Sequence, residues 1–484
     1  MLRTILPLTF LGHATLLDAQ SDPICPCTDQ LDALIAKVET NYSGYAIEFH
    51  DDRRTTYSDL CERLRSEARQ ANVTTCWSLL RRYVDHFQDG HLFISDVWGE
   101  YDSTYRQPEP RVELDMNGAN TEHVDAIEGQ WMTHDGRRVS IIPAGADASD
   151  GTFAAVLMEE GEQKGEVKAR FSKLVDGSYD AVVLNEKGVA VHPAIYQPAA
   201  KGARIVRGSL LMMPPFTWVR VSPTTSNACV IDVEQPLAPQ VFPYGSDGSV
   251  WVASLPSCNP MFTTRLDSLL RTHDADLSQA RLLIIDLRSN EGGSSGMTRG
   301  LDRYLGPHSP PPADTAKAVV LSSEDNIKYF TYMERDGWVP PGLVQRMKEH
   351  TGELVEFSDP ETSSTAPTEP ATDATEHEAS GPKQVALLTD RGVVSAGEAF
   401  CLRARNYPRV KQFGEATAGC IDHQNVTMVY FGCEAAGYLL GYPTLASSRY
   451  LPQGGYNQTG IVPDVNLPTN VDDPYRAIVE WYAK

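Results

Sequence analysis

Three separated stretches of the sequence carry residue types that could do nucleophilic chemistry. The first, FQDGHLFI at 87–94, places His91 on a short loop between a helical and an extended segment. The second, IIDLRSNEGGSSG at 284–296, is a buried-strand pattern that ends in a Gly-Gly turn. The third, VVSAGEAF at 393–400, places Ser395 after a strand-like run and at the start of a helical pattern.

A serine hydrolase needs a nucleophile, a base with a pKa near 7 and donors for an oxyanion, and the three stretches can supply them. Ser395 lies at a helix N-terminus, where backbone N–H groups and the helix dipole favour developing negative charge. The Gly292-Gly293 turn can bring a bare N–H close to a substrate. His91 is a candidate base.

Each candidate also has a structural interpretation. Serine is a favoured N-cap residue, and Glu398 three positions after Ser395 completes a capping box. The chain has 12 histidines, so chemistry alone does not single out His91. His86 on the preceding helix and His423 are rival candidates for the base.

Five motifs nevertheless occur together. IIDLRSNEGG resembles the D-x-R-x-N-x-G-G signature of the tail-specific, C-terminal-processing serine peptidases and their tricorn-core relatives. VVSAGEAF resembles their nucleophile motif S-A-x-E, GEATAGC their G-E-x-T-x-G turn, and TGIVPDV their G-I-x-P-D segment. FQDGHLFI resembles the D-x-H segment of the tricorn-type branch. The motifs follow the family order from Phe87 to Val465.

The resemblance implies roles for the residues around the serine. Ser395 would be the nucleophile, and the following residue, Ala396, would give one oxyanion-hole N–H. Gly292 or Gly293 would give the other. Glu398 of the S-A-x-E motif is a candidate supporting residue.

The resemblance also implies the base. The processing branch uses a lysine just after the G-E-x-T-x-G turn, and Cys420 occupies that position here, so His91 is expected to be the base. The tricorn branch has a serine before its histidine and a glutamate before its G-x-x-P-D segment. Those positions hold Gly90 and Asn457 here. Asp89 is a further candidate for the group that orients the base. No metal or cofactor is implied.

The bulk composition limits the partners. The chain has 484 residues, which predicts two or three domains. It carries 64 acidic and 42 basic side chains and a net charge of −22, so nucleic acid is a poor partner. No apolar run is long enough to predict an integral membrane segment. A protein or peptide substrate is the expected partner.

The residue patterns predict four regions. A thin positive region at Arg3 and the apolar stretch from Ile5 to Leu17 predict a signal peptide, with a buried N-terminal helix as the alternative. Helical periodicity, then short alternating segments, then alternating strands and helices follow. The family resemblance implies a ClpP/crotonase-like core for the last region, an α/β fold. The regions are the signal peptide at 1–19, a helical N-terminal region at 20–105, an antiparallel β-barrel or sandwich at 106–225 and the core at 226–484, with a disordered insert at 358–381.

The nine cysteines suggest disulfides in an exported chain, and their odd number leaves at least one thiol unpaired in the monomer. Cys420 and Cys433 flank a predicted hairpin and are expected to pair. N-x-[ST] sequons begin at Asn41, Asn72, Asn425 and Asn457 and predict a glycoprotein if the host glycosylates.

Together these patterns predict a serine endopeptidase, secreted to the extracellular space or to the periplasm if bacterial. The alternative is a catalytically inactive family member that binds an apolar ligand or a peptide.

Overall fold

The computed structural model describes the chain in separated ranges, which are 25–48, 51–71, 73–96, 125, 127–132, 137–144, 151–158, 165–173, 179–184, 190–199, 204–207, 218–222, 238–306, 317–358, 381–447, 455–457, 459–467, 471 and 473–484. No helix in these ranges is both long and apolar enough to cross a membrane. The predicted signal peptide at 1–19 lies outside the described residues, and so does 359–380 of the predicted disordered insert.

The N-terminal region is helical, as its periodicity predicts. Leu31, Leu34 and Val38 recur at three- and four-residue spacing and are fully buried. Their core also contains residues of the strand Tyr438–Ser447, so the helices pack directly on a sheet of the C-terminal region. The elements are α1 (Cys27–Asn41), α2 (Ser43–Glu48), α3 (Asp51–Ala68), α4 (Val73–Asp85) and β1 (Phe93–Asp96).

The middle region forms a closed antiparallel barrel of eight strands. In its third strand, Phe153, Ala155 and Leu157 enter one buried cluster, while Ala154 and Val156 enter another, as the period of two requires. The predicted antiparallel β module is therefore confirmed. The strands are β2 (Gly129–Met132), β3 (Arg138–Pro143), β4 (Thr152–Leu157), β5 (Val167–Lys173), β6 (Tyr179–Leu184), β7 (Ala190–Ala199), β8 (Arg204–Arg207) and β9 (Trp218–Ser222).

The C-terminal region is the predicted α/β core. Its central strands are buried along their whole length and read as continuous apolar runs, such as LLIID, because helices cover both faces of the sheet. The sheet order is β10-β11-β12-β15-β16-β19, antiparallel at β10–β11 and parallel elsewhere. Its strands are β10 (Gln240–Tyr244), β11 (Val250–Ser254), β12 (Leu282–Asp286), β15 (Gln384–Thr389), β16 (Val410–Gly414) and β19 (Val465–Asn466).

A second sheet carries the remaining strands, which are β13 (Lys317–Leu321), β14 (Leu354–Ser358), β17 (His423–Tyr430) and β18 (Tyr438–Ser447). The N-terminal β1 joins it by pairing antiparallel with β18. The loop that carries His91 is thereby fixed to the core. The helices of the core are α5 (Thr263–Thr272), α6 (Asp274–Gln279), α7 (Asp302–Leu305), α8 (Glu324–Arg335), α9 (Leu343–Glu349), α10 (Ala396–Ala404) and α11 (Pro474–Tyr482).

Parallel pairing of β12 with β15 brings two of the chemical stretches together. Asp286, the last residue of β12, is opposite Leu388 near the end of β15. The carboxyl ends of neighbouring parallel strands meet at one edge of a sheet, where ligands of open α/β sheets bind. The Gly-Gly turn and Ser395 therefore lie on adjacent loops.

Two disulfides join the N-terminal helices, one within them and one to the second sheet. Cys27 bonds Cys76, and Cys25 bonds Cys433, 408 residues away in the sequence. The predicted pair of Cys420 with Cys433 is wrong, since Cys420 is a free thiol. The reason is topological: the hairpin here is β17–β18, and Cys433 lies in its turn beside α1 rather than beside Cys420.

Peptide mapping without reductant is expected to recover the Cys25–Cys433 and Cys27–Cys76 peptides. Replacing Cys25 and Cys433 together with serine should lower stability by about 2–5 kcal/mol, because the bond restricts a very long loop of the unfolded chain. Chemical denaturation measures this loss, and Cys61→Ser is the matched control at a free, buried thiol. Alkylation of Cys433 without prior reduction would contradict the pairing.

The sequons differ in their surroundings. Asn41 is buried and its Nδ2 donates to Asp325, so the folded protein leaves no room for a glycan there. Asn425 is partly buried and its Nδ2 donates to the Thr444 hydroxyl. Asn72 lies outside the described residues.

Candidate active site

Ser395 lies on a sharp turn between β15 and α10. It has φ 52° and ψ −116°, a conformation that costs a non-glycine residue about 1–3 kcal/mol and that clusters at functional sites. Its backbone N–H is held by two acceptors at 3.1 Å, the Cys420 carbonyl and Glu398 Oε2. Its side chain faces a cavity and is partly exposed. The surrounding hydrogen bonds therefore stabilise the strained turn.

Glu398 is the hub of these bonds. Its Oε1 accepts from the Thr417 hydroxyl at 2.5 Å and the Gly419 N–H at 2.8 Å, and its Oε2 accepts from the N–H groups of Cys420 at 2.7 Å and Ser395. Burial raises the pKa of Glu398 to about 7, against the opposing effect of these bonds. The sequence motif S-x-x-E thus connects the serine turn to the turn at 417–420.

Glu398→Gln is expected to destabilise the protein by about 2–3 kcal/mol and to lower kcat. The amide NH₂ must face two of the four donors, which leaves buried N–H groups unpaired. Thermal or chemical unfolding measures the loss, and the exposed Glu434→Gln is the matched control. A variant as stable and as active as the wild type would show that Glu398 does not hold the serine turn.

The two glycines after β12 have different surroundings. The Gly292 N–H donates to Asn290 Oδ1 at 2.9 Å and is occupied. The backbone of Cys258 bonds the residues on either side of Gly293. Its N–H donates to the Gly292 carbonyl, and its carbonyl accepts from the Ser294 N–H. Within the described ranges the Gly293 N–H makes no hydrogen bond, and Gly293 lines the cavity with Ser395.

Both glycines are also sterically required. A Cβ on Gly292 would lie 2.9 Å from the Ser395 Cβ, and one on Gly293 would lie 2.3 Å from the Cys258 carbonyl oxygen. Ala396 is the first residue of α10, where a backbone N–H has no partner within the helix. Gly293 and Ala396 therefore present two N–H groups on the wall that carries Ser395.

The aspartate and arginine of the D-x-R motif have a structural role. Asp286 and Arg288 form a buried bidentate pair, with Nη2 to Oδ2 at 2.6 Å and Nε to Oδ1 at 2.9 Å. The Tyr475 hydroxyl also donates to Asp286 at 2.7 Å. This cluster fixes the end of β12 and the Gly-Gly turn that follows it.

His91 is completely buried on the loop between α4 and β1. Its ring Nδ1 lies 2.5 Å from the His423 carbonyl oxygen, which can only accept, so Nδ1 carries the proton and Nε2 has the lone pair. Nε2 is buried without a hydrogen-bond partner among the described residues. Burial lowers the pKa of His91, against the attraction of Asp89. The imidazole is thus held neutral, in a tautomer able to take a proton.

Asp89 anchors this loop. Its Oδ1 accepts the His91 backbone N–H at 2.9 Å, and its Oδ2 accepts from the Tyr42 hydroxyl at 2.8 Å and lies 3.0 Å from His423 Nδ1. Burial raises the pKa of Asp89, but the hydrogen bond and charge of His423 outweigh it and hold the pKa below its usual range. Asp89 therefore binds the backbone of His91 and the ring of His423. It makes no hydrogen bond to the ring nitrogens of His91.

The rival histidines have other partners. The His423 ring bonds Asp89 and packs against Tyr42, with ring centroids 5.3 Å apart. The His86 ring is partly exposed and packs against Tyr57 and Phe87. Tyr42 and the His423 carbonyl were missed by sequence reasoning, since a helix-end tyrosine and a backbone carbonyl carry no sequence signal.

Cys420 lies between the two halves of the site. Its carbonyl accepts the Ser395 N–H, and its Sγ lies within 4.8 Å of a His91 ring nitrogen and an Asp89 carboxylate oxygen. Among the described residues, no hydrogen bond joins His91 to Ser395. The structure thus brings the histidine loop beside the serine turn, but His91 and Ser395 do not form a hydrogen bond with each other.

Asn457, which the sequence resemblance matches to a glutamate, is held through its backbone. Its N–H donates to Asp422 Oδ2 at 2.7 Å, and the Tyr456 N–H donates to Asp422 Oδ1 at 2.6 Å. Asn457 Oδ1 is buried without a partner in the described part of the chain, so it does not orient His91. Asp422, which sequence reasoning missed, positions this turn.

The cavity beside Ser395 has a volume of about 260 Å³. Gly293, Ser395 and Ala396 line one part of it. Much of the remaining lining is apolar and comes from α8, from the segment before α9, from the turn before β17 and from β18. It includes Met333, Val339, Ile421 and Leu445. The cavity can accept an apolar side chain next to the serine.

Comparison with known proteins finds a family similarity for the C-terminal part of the chain. Residues 255–467 match the model of peptidase family S41, which confirms the resemblance found in the sequence. The matched segment contains Ser395, the Gly-Gly turn and Asn457, whereas His91 lies outside it. No curated protein matches the chain significantly.

Several solved structures are similar to the chain at low identity. A putative peptidase from Parabacteroides merdae is 13% identical, with a TM-score of 0.40 and 95% of this chain and 96% of that chain covered. Mature CPAF complexed with lactacystin is 12% identical, with a TM-score of 0.47 and coverage of 95% and 97%. The tricorn protease is 13% identical, with a TM-score of 0.41 and coverage of 94% and 36%.

Proposed function

We propose that this protein is a serine endopeptidase in which Ser395 is the nucleophile and His91 the base. Residues 255–467 match the model of peptidase family S41, which supports a peptidase. The observation that supports this most strongly is the Ser395 turn. A serine with positive φ at a helix N-terminus faces a cavity together with two N–H groups, those of Gly293 and Ala396. That arrangement suits attack on a carbonyl group.

In the proposed reaction, Ser395 Oγ attacks the carbonyl carbon of the scissile peptide bond, and its proton passes to His91 Nε2. The Gly293 and Ala396 N–H groups stabilise the oxyanion of the tetrahedral intermediate. Collapse of the intermediate breaks the C–N bond, and His91 returns the proton to the leaving amine. Water then hydrolyses the acyl-enzyme, with His91 again as the base.

The proton transfer requires that His91 Nε2 and Ser395 Oγ come within hydrogen-bond reach. Catalytic hydrogen bonds are often long without substrate and tighten when it binds. The tautomer of His91 is fixed by the His423 carbonyl, a role that a carboxylate has in many triads. Asp89 acts as a positioning residue, because it holds the backbone of His91 and the ring of His423.

The setting of the reaction is proposed to be outside the cell. Two disulfides in the described residues suit an oxidising compartment, which a signal peptide at 1–19 would lead to. The expected substrate is an extended, unfolded polypeptide, because only an open backbone can reach the N–H groups of Gly293 and Ala396.

Two observations favour a second function, that of a binding protein for an apolar ligand or peptide. His91 and Ser395 are not hydrogen-bonded, and Asn457 replaces the family's glutamate. The apolar part of the cavity, with Met333, Val339 and Leu445, could then hold a ligand without turnover.

Incubation with a reduced and alkylated protein substrate distinguishes the two functions. Mass spectrometry should find new internal chain ends that accumulate with time and exceed the enzyme in amount. A peptide that binds at micromolar concentration but stays intact would show the binding function instead.

A further inference from the structure

A cluster of three donor side chains is buried beside the proposed nucleophile. Asp89 and His91 come from the loop after α4, and Cys420 comes from the turn before β17. One carboxylate oxygen, one ring nitrogen and the Sγ atom lie within 4.8 Å of one another. The fold brings these groups together from positions more than 300 residues apart in the sequence.

Two of the three side chains carry a donor atom for which the described residues provide no other partner. His91 Nε2 is completely buried and makes no hydrogen bond within the described part of the chain. Cys420 is a buried thiol outside the two disulfides. A buried polar atom without a partner is unfavourable, and an ion that binds it removes that cost.

The surroundings of His91 also match those of a metal ligand. A histidine that binds a metal through one ring nitrogen usually donates the other N–H to a carbonyl or carboxylate, which fixes the ring. The Nδ1–H of His91 donates to the His423 carbonyl. Asp89 is likewise held by Tyr42 and His423, as ligating carboxylates commonly are.

We propose that Asp89, His91 and Cys420 form a binding site for a zinc-class transition-metal ion. A donor set of one oxygen, one nitrogen and one sulfur suits Zn²⁺, whereas Mg²⁺ and Ca²⁺ prefer oxygen alone. Three protein ligands leave a fourth position for water. Zinc bonds sulfur at about 2.3 Å and nitrogen at about 2.0 Å, so the ligands must close by up to roughly 1 Å on binding.

The ion would regulate the peptidase, a consequence that rests on the proposed function. A metal bound through the His91 ring occupies the base that must take the Ser395 proton. Zinc is therefore expected to hold the enzyme inactive, and its removal to release His91. Both neighbours of Cys420 line the cavity: Ile421 follows it in the sequence, and the Ser395 N–H donates to its carbonyl.

The binding test uses the full chain as Ser395→Ala, so that it does not depend on activity. Equilibrium dialysis should find one Zn²⁺ per chain, and Cd²⁺, added as a probe, should give a thiolate-to-metal charge-transfer band. A second substitution in this protein, Cys420→Ser, should remove the band and weaken Zn²⁺ binding at least tenfold. Cys61→Ser in the same background, at another buried free thiol, should change neither. Absence of the band in Ser395→Ala, or its persistence with Cys420→Ser, overturns the site. The band in Ser395→Ala is measured without any cysteine variant. The site can therefore be tested even if Cys420→Ser misfolds.

The regulatory consequence is tested on the otherwise wild-type chain. Zn²⁺ should reduce peptide hydrolysis at least tenfold, a chelator should restore it, and Cys420→Ser should need at least tenfold more Zn²⁺ for the same inhibition. Zinc that binds at this site without inhibiting the wild type overturns the regulatory role. If neither protein hydrolyses peptides, the proposed function fails, while the binding result stands by itself.

Discussion

Ser395→Ala is expected to reduce kcat for hydrolysis of an unfolded protein by about 10³–10⁶-fold, because no acyl-enzyme can form without the hydroxyl. The melting temperature should change by only a few degrees. The bonds that hold the turn use the Ser395 backbone N–H, which alanine keeps. A discontinuous peptide assay together with differential scanning fluorimetry measures both quantities.

Ser294→Ala is the matched control, since Ser294 lines the same cavity and its hydroxyl accepts from the Gly296 N–H within its own turn. Activity within a few-fold of wild type is expected for it. Normal turnover by Ser395→Ala would show that another residue is the nucleophile.

His91→Ala is expected to lower kcat/KM by about 10²–10⁴-fold, the usual contribution of a general base. The pH dependence of kcat/KM for the wild type should report the titration of His91. The base must be neutral, so activity falls as pH drops through its pKa. Burial lowers the pKa of His91, so the acid limb should lie below about 6.5, the ordinary value for histidine.

Two histidine variants serve as controls for this prediction. His86→Ala should remain active, because its ring packs against Tyr57 and Phe87 on the helical side. His423→Ala should lose less activity than His91→Ala, because the backbone carbonyl that orients His91 remains. An active His91→Ala together with an inactive His423→Ala would identify His423 as the base.

The core, and the strand–turn–helix that carries Ser395, follow from the sequence for physical reasons. Strands of a parallel sheet are buried on both faces, so LLIID and QVALLT stand out as apolar runs. The turn at Ser395 follows such a strand and opens a helix whose first residues carry the S-x-x-E pattern. Local sequence therefore contains most of what builds this half of the site.

The other half depends on contacts between distant parts of the chain. Tyr42 bonds Asp89, and the His423 carbonyl bonds His91, across separations of 47 and 332 residues. No local periodicity reports such contacts. The same reason explains the incorrect cysteine pair, since Cys433 meets Cys25 only when β18 packs on α1.

The difference between the two glycines likewise arises from the fold. Both follow β12 and both have positive φ, so their sequence context is equivalent. The bond from the Gly292 N–H to the Asn290 side chain occupies that donor, whereas Gly293 lines the cavity and its N–H makes no hydrogen bond in the described part of the chain.

Labelling with a fluorophosphonate probe tests Ser395 as the nucleophile without any substrate, because an activated serine attacks the phosphorus, releases fluoride and is phosphonylated. We expect one label per chain, mapped by peptide mass spectrometry to Ser395, lost in Ser395→Ala and much slower in His91→Ala. Well-folded wild-type protein that stays unlabelled after chelator treatment, at every pH from 6 to 9, would contradict it.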